Sequence, residues 1–349
     1  MHNQTMKTKK QIFSILALLL IISFTLYLCL KGYSLSELVD ALKTADYTYL
    51  LMGLGLMFLF VLCEGGNIYI ILKALGQKAS FGSCFLYSNV GFYFSSITPS
   101  ASGGQPMQIY YMKRDKIPLS VSTIVIFYTV LVYQIAMMLL GAAAFIFRYD
   151  MTLQFIARLK YLFIIGTVIN TGAIFLFFAL MFSKKILPGI LAFLVRAGCR
   201  LRIVKDKAKV ELTLRKSMAS YQEKADVIIK HPVLFLQVLF ITVVQLLALS
   251  LIPYLVYKSM GFQTDGLITL TACQALLTIS VSAIPLPGAE GITQAGFLQV
   301  FNLFFPGKAI ACAMLLHRIL SFYIPLIFSF LLYLATHFKS VKTVGSWSS

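Results

Sequence analysis

The chain reads as an all-α polytopic membrane protein with six full spans and two broken re-entrant helical hairpins, arranged as an inverted-topology repeat. Three observations predict this. The 349 residues are 59% hydrophobic and 12% charged, with a mean hydropathy of +0.85; soluble domains carry roughly 25% charged residues. Six apolar stretches reach the ~20 residues that a helix needs to cross a hydrocarbon core. Two further apolar regions are broken by Pro and Gly near their middles, at Thr98-Pro99-Ser100-Ala101-Ser102-Gly103-Gly104-Gln105-Pro106 and at Pro285-Leu286-Pro287-Gly288-Ala289-Glu290-Gly291. Irregular backbone survives at membrane depth only where protein or a polar cavity satisfies its N–H and C=O groups.

The spans fall at 11–30, 48–72, 119–147, 159–182, 233–257 and 307–336. The interrupted regions are 81–111 and 266–305, and each limb is short for a comfortable crossing. Each is therefore expected to enter the membrane and leave on the same side. Crossing limbs, giving ten spans, would leave the loop sides unchanged. Lys7, Lys9 and Lys10 place the N-terminus inside, and the apolar run that follows has no small-residue cleavage site, so it is read as an uncleaved span. The 31–47 and 148–158 loops fall outside. Lys113, Arg114 and Lys116 return inside, as do Lys339 and Lys342 in the tail. The 183–232 loop carries twelve Lys/Arg against four acids and falls inside, as the positive-inside rule requires.

The order span, span, hairpin, span then occurs twice within one membrane domain, 1–349. The first half is 1–147, the second is 159–182 with 233–336, and 183–232 lies between them. Pro99 precedes Tyr128 by 29 residues and Pro287 precedes His317 by 30, a matching distance from break to next span. The 183–232 loop is expected to be helical and amphipathic, with Ile186, Leu187, Ile190, Leu191, Leu194 and Val195 on one face and a run of Arg and Lys after them. Such a helix would lie against anionic inner-leaflet lipid.

The net charge of +18 sits between apolar spans, so it reads as topological and no nucleic-acid partner is expected. Six scattered cysteines show no metal-ligand spacing, and four histidines do not cluster. No P-loop, GxGxxG, HExxH or GxSxG occurs. No cofactor, metal or catalytic residue is expected.

Intramembrane polar residues mark the candidate site. Glu64 lies inside the second span and Arg318, beside His317, inside the last. Each ionised group would cost ~2.5–3.5 kcal/mol at a helix centre, so both should face the bundle interior. Span counting sets them roughly 10 Å apart in depth, too far for a direct pair. Thr98, Pro99, Ser102, Gly103, Gly104 and Gln105 surround the first break; Pro287, Gly288, Glu290 and Gly291 surround the second. Asn89 and Gln274 lie on the limbs leading to them. Gly lets backbone N–H groups approach a ligand, and a helix N-terminus favours phosphate.

The first break, continued through Met107-Gln108 and Tyr110-Tyr111, resembles a signature of the lysylphosphatidylglycerol synthase transmembrane family. Pro285-Leu286-Pro287-Gly288 with Gly291 and Gly296-Phe297 is similar to that family's second signature. The resemblance covers essentially the whole chain. It implies a flippase-type domain related to the N-terminal part of the multiple peptide resistance factor, whose separate cytosolic domain makes the aminoacylated lipid. That synthase domain is not expected here, since the chain ends at Ser349. The implied function is movement of an anionic or aminoacylated phospholipid between leaflets of a bacterial-type plasma membrane, with both termini cytoplasmic. In that expectation Arg318 holds phosphate and Glu64 meets an amine or a proton. The alternatives are a polyprenyl-phosphate carrier, a non-transporting scaffold, and the family-name activity, phosphatidylglycerol lysyltransferase, with its link to cationic antimicrobial peptide resistance. A homo-oligomer or a separate lipid-synthesising enzyme is a possible partner.

Overall fold

The computed structural model describes residues 45–98, 101–183, 185–200, 207–282 and 291–345, together with positions 43 and 284. Over 191, 194, 196–200, 207–217 and 337–345 it describes the backbone alone. The span expected at 11–30 lies outside these residues, as do Pro99, Pro287, Gly288 and Glu290. Twelve α-helices follow: α1 (Tyr47–Ala74), α2 (Phe81–Ile97), α3 (Gly104–Arg114), α4 (Leu119–Phe147), α5 (Tyr149–Phe182), α6 (Ile186–Arg200), α7 (Lys207–Ile229), α8 (Pro232–Ser259), α9 (Leu267–Val281), α10 (Ile292–Phe301), α11 (Ala309–Arg318) and α12 (Ile324–Gly345). A π-turn, Ile319–Tyr323, joins the last two. Five of the expected spans appear as helices long and apolar enough to cross a membrane: α1, α4, α5, α8 and the run Ala309–Thr336. The protein is an all-α polytopic membrane protein.

Both breaks separate a longer limb from a shorter one. The limbs α2 and α9 have 17 and 15 residues, about 26 and 22 Å of helix. The returning limbs α3 and α10 have 11 and 10 residues, too short for a ~30 Å core. Local chemistry ends and restarts these helices. Ser80 caps α2 by accepting from the Ser83 N–H at 3.1 Å. Thr98 Oγ1 donates to the Phe94 carbonyl at 2.6 Å and accepts from the Gly103 N–H at 2.9 Å, tying the end of α2 to the start of α3.

The helices that precede the hairpins, α1 and α8, each have 28 residues and pack along their whole length. The Asp46 N–H donates to the Ser259 carbonyl at 2.8 Å, and Asn67 Nδ2 donates to Thr242 Oγ1 at 2.9 Å. Advancing along α1 means retreating along α8, so the two run antiparallel. Both stop in the same way. Gly76 (φ 71) and Gly261 (φ 81) take the left-handed conformation that glycine adopts without a Cβ clash. The N–H groups of Gly76 and Gln77 reach back to the Lys73 and Leu72 carbonyls, and those of Gly261 and Phe262 to Lys258 and Tyr257, a Schellman motif at each end.

Among the described residues, two large apolar cores fill most of the bundle, with two smaller clusters beside them. One gathers α1, α8, α9, α10 and α11 around Phe155, Phe297, Phe301 and Phe305. The other gathers α1, α2, α3, α4, α6 and α7 around Tyr87, Tyr111 and Tyr221. α5 lies at the periphery, with Ile164, Ile165, Val168 and Phe175 exposed.

Two expectations need correction. The stretch 148–158, read as a loop, is helical: it forms the first part of α5, and non-helical Leu159 (φ −120°, ψ 30°) marks the kink where the expected span begins. Thr152 fastens the start of α5 to the end of α4 by donating to the buried Ala144 carbonyl at 3.1 Å. The 183–232 segment forms two helices, and the apolar face expected of its first part divides. Leu187 and Val195 are buried in protein, whereas Ile186 and Ile190, together with Phe193, are exposed. Hydrophobicity marks both groups alike; only packing separates them.

Candidate functional site

Glu64 lies on α1, half-buried. Its Oε1 accepts from Gln108 Nε2 at 2.7 Å, joining α1 to the short limb α3. Two glycines permit this. A Cβ on Gly65 would lie 3.0 Å from the Phe85 Cα, so α1 and α2 touch backbone to backbone, and a Cβ on Gly91 would overlap the Gln108 side chain.

The first break is tightly folded. A Cβ on Gly104 would overlap Ser95 Oγ and stand 2.7 Å from the Gly91 carbonyl, and one on Gly103 would stand 2.7 Å from Thr98 Cγ2. These glycines let the limbs close on each other. Ser102 is exposed at the tip and Gln105 is half-buried. Asn89 is 1% exposed and ties the hairpin to the last span: its Nδ2 donates to the Phe85 carbonyl at 2.7 Å and its Oδ1 accepts from Ser329 Oγ at 3.1 Å.

The second hairpin brings other groups together. Gly291 (φ 80) opens α10, and its N–H donates to the Gln294 side chain. Phe297 on α10 stacks on the His317 ring at 5.1 Å. Gly296, beside Phe297, fits against Leu277, one helical turn from Gln274 on α9. His317 is 2% exposed, and neither ring nitrogen has a hydrogen-bond partner among the described residues; Gln274 is 4% exposed and its Oε1 has none among them either. Arg318 is 6% exposed, its guanidinium 4.7 Å above the Phe322 ring. The π-turn begins at the next residue, and such turns are frequent at functional sites.

Glu64 and Arg318 belong to different levels of the bundle. Leu320, two residues after Arg318, packs against Gly53 of α1, and Gly53 precedes Glu64 by eleven residues, about 16 Å of helix. The expectation of separate groups rather than an ion pair agrees with this geometry. Among the described residues, no three His, Cys, Asp or Glu side chains gather as a metal-ligand group.

Three polar contacts were not singled out in the sequence. Gln108 is the partner of Glu64. Asn170 on α5 donates to the Ile279 carbonyl at 3.1 Å and to Ser282 Oγ at 3.0 Å, holding the end of α9 just before the second break. Asn67 bridges α1 to α8. Asn67 and Asn170 were signalled only as amide side chains inside apolar spans, and Gln108 only as part of the signature at the first break.

Residues 12–329 match the family described as the lysylphosphatidylglycerol synthase TM region. The chain belongs to that family. The chain is similar to a UPF0104 membrane protein of Archaeoglobus fulgidus, 20% identical over 321 residues, 88% of this chain and 93% of the relative. A UPF0104 membrane protein of Methanocaldococcus jannaschii is 32% identical over 114 residues, 31% of this chain and 34% of the relative, so that match spans about a third of the relative's length.

Proposed function

We propose that this protein is a lipid transporter that carries a phosphate-bearing headgroup between leaflets, with the second hairpin, Gln274, His317 and Arg318 forming the headgroup site. The observation that carries this reading is His317, enclosed at membrane depth beside a buried arginine, with both ring nitrogens unmet by any of the described residues. A buried polar group left without a partner costs about 1–3 kcal/mol, and an imidazole has both a donor and an acceptor to satisfy. A headgroup offers phosphate oxygens to the guanidinium and to the imidazole N–H, and glycerol or amine hydrogens to the other ring nitrogen and to Gln274 Oε1.

The antiparallel pairing of the equivalent helices α1 and α8 supports an inverted repeat. On that plan the hairpins enter from opposite faces, and rocking of one half against the other opens the site to each leaflet in turn. The Glu64–Gln108 contact is the polar feature of the first half, where an amine or a proton would compete with Gln108 for the carboxylate. The membrane is the plasma membrane, with both termini in the cytoplasm. Substrates of the right chemistry are aminoacylated or plain phosphatidylglycerol, other glycerophospholipids and polyprenyl phosphates.

The test is leaflet-resolved movement of fluorescent phosphatidylglycerol in proteoliposomes. His317→Ala and Arg318→Gln should each slow movement at least tenfold, about 1.4 kcal/mol or more in binding or barrier. Wild-type rates in both variants would remove these residues from the path, and no movement above protein-free vesicles with the wild type would end the transport reading.

A further inference from the structure

The seam between α1 and α8 holds a further buried polar atom left unsatisfied. Asn67 is 0% exposed. Its Nδ2 donates to Thr242 Oγ1 at 2.9 Å, and Thr242 gives its own hydrogen to the Val238 carbonyl at 2.7 Å. A hydroxyl has one hydrogen to donate, so toward Asn67 it can only accept. That fixes the orientation of the amide, with Nδ2 toward α8 and Oδ1 turned from Thr242. Asn67 Oδ1 has no hydrogen-bond partner among the described residues, and a buried acceptor in that state calls for a donor.

Glu64 supplies a donor in one of its two protonation states. Positions 64 and 67 are one turn apart, and residues three apart are neighbours on a helix surface. Helical side chains lean toward the N-terminus, which carries Asn67 toward Glu64. The carboxylate accepts from Gln108 through Oε1, which leaves Oε2 for another partner. Ionised, Glu64 can only accept, as can Asn67 Oδ1; protonated at Oε2, it gains an O–H to donate. Glu64 is half-buried, so water-borne protons have access to it, whereas Asn67 is sealed. The groups facing this part of α1 carry no compensating cation. α3 presents Gln108, α8 presents Thr242, α2 presents Cys84 and Phe85 against Gly65, and Tyr133 of α4 lies within electrostatic reach of Glu64. Among the described residues no Lys, Arg or His forms an ion pair with Glu64.

We propose that Glu64 and Asn67 form a proton-binding site that couples lipid movement to a proton gradient, with Gln108 as the link to the first hairpin. The coupling rests on the transport reading above; the binding of the proton does not. Ionised Glu64 holds the Gln108 amide by a charge-assisted bond, roughly twice as strong as a neutral one, and so fastens α3 to α1. A proton from the aqueous side adds to Oε2, the charge is lost, and the new O–H donates to Asn67 Oδ1. The hold on Gln108 weakens, and the returning limb of the hairpin is freer to move.

The experiment is infrared difference spectroscopy of the full chain in phosphatidylcholine vesicles, stepped across about pH 4 to 9. The wild type should show a titrating carboxyl C=O band that is lost in Glu64→Gln. Gln108 favours the ionised form and Asn67 the protonated one, so their variants should move the midpoint in opposite directions. Gln108→Met should raise the proton affinity and Asn67→Leu lower it, each by about tenfold, one pH unit; Asn67→Ala should act as the leucine does if the larger side chain disturbs the seam. No titrating band in the wild type, a band kept in Glu64→Gln, or a midpoint unmoved in the Gln108 and Asn67 variants overturns the site. These readouts need no lipid movement, so a failure of the transport reading is seen separately. In proteoliposomes a proton gradient should change the rate of fluorescent phosphatidylglycerol movement in the wild type and not in Glu64→Gln; a response kept in that variant overturns the coupling. Displacement of the proton by sodium at constant pH would assign these oxygens to an alkali cation and overturn the proton assignment.

Discussion

Gln108→Met tests whether Glu64 is held as an ionised carboxylate. Methionine keeps the length of the chain and fits the space left by Gly91, but removes the donor that reaches Glu64 at 2.7 Å. Two magnitudes compete. A neutral interhelical hydrogen bond in a membrane protein averages about 0.6 kcal/mol, whereas one to a charged group is worth about 1.5–3 kcal/mol. Glu64 is half-buried, so the low end of the second range applies. A double-mutant cycle of Gln108→Met with Glu64→Met, read by unfolding in mixed detergent micelles, should give a coupling of about 1.5 kcal/mol. Glu64→Gln in place of Glu64→Met keeps an acceptor but removes the charge, and the surviving bond should then be worth about 0.6 kcal/mol. A coupling below about 0.3 kcal/mol, within ordinary additivity error, would refute the claim that this bond fastens α3 to α1.

Further outcomes follow from the packing. Gly104→Ala drives a methyl group into Ser95 and the Gly91 carbonyl, so it should destabilise the fold by about 1–3 kcal/mol; a thermal midpoint equal to wild type would show that the limbs are not in contact. Asn170→Ala removes two hydrogen bonds to the end of α9 and should cost roughly 1 kcal/mol and raise proteolysis at the second break, whereas unchanged cleavage would mean that α5 does not hold that hairpin. Ser102→Cys should react with an impermeant maleimide from the outer side. α2 runs antiparallel to α1, with Ser88 bonded to Val61, which carries its end toward the Tyr47 terminus of α1, the outer one on the proposed topology. Cys63, Cys84, Cys273 and Cys312 are buried and should stay silent. Labelling from the cytoplasmic side alone would reverse the orientation of the first hairpin.

The sequence by itself determined where the chain crosses the membrane and where it cannot. Transfer of apolar residues is a local, additive quantity, so five spans were legible from runs such as 119–147 and 233–257. Pro and Gly act on their own backbone, so both breaks were legible too. The tertiary structure decided which side chains meet. Hydropathy does not distinguish a residue against lipid from one against protein, which is why Leu187 and Ile186 read alike and point to different neighbours. Glu64 and Arg318 were visible as charges in apolar spans, but Gln108 as the carboxylate's partner, the His317 nitrogens left unmet by the described residues and the hold of Asn170 on α9 arise from contacts between distant segments. The likeness of the α1 and α8 ends, Tyr69, Lys73 and Gly76 against Tyr254, Lys258 and Gly261, was hidden too, because those identities become a pattern only when α1 and α8 are seen to pair antiparallel.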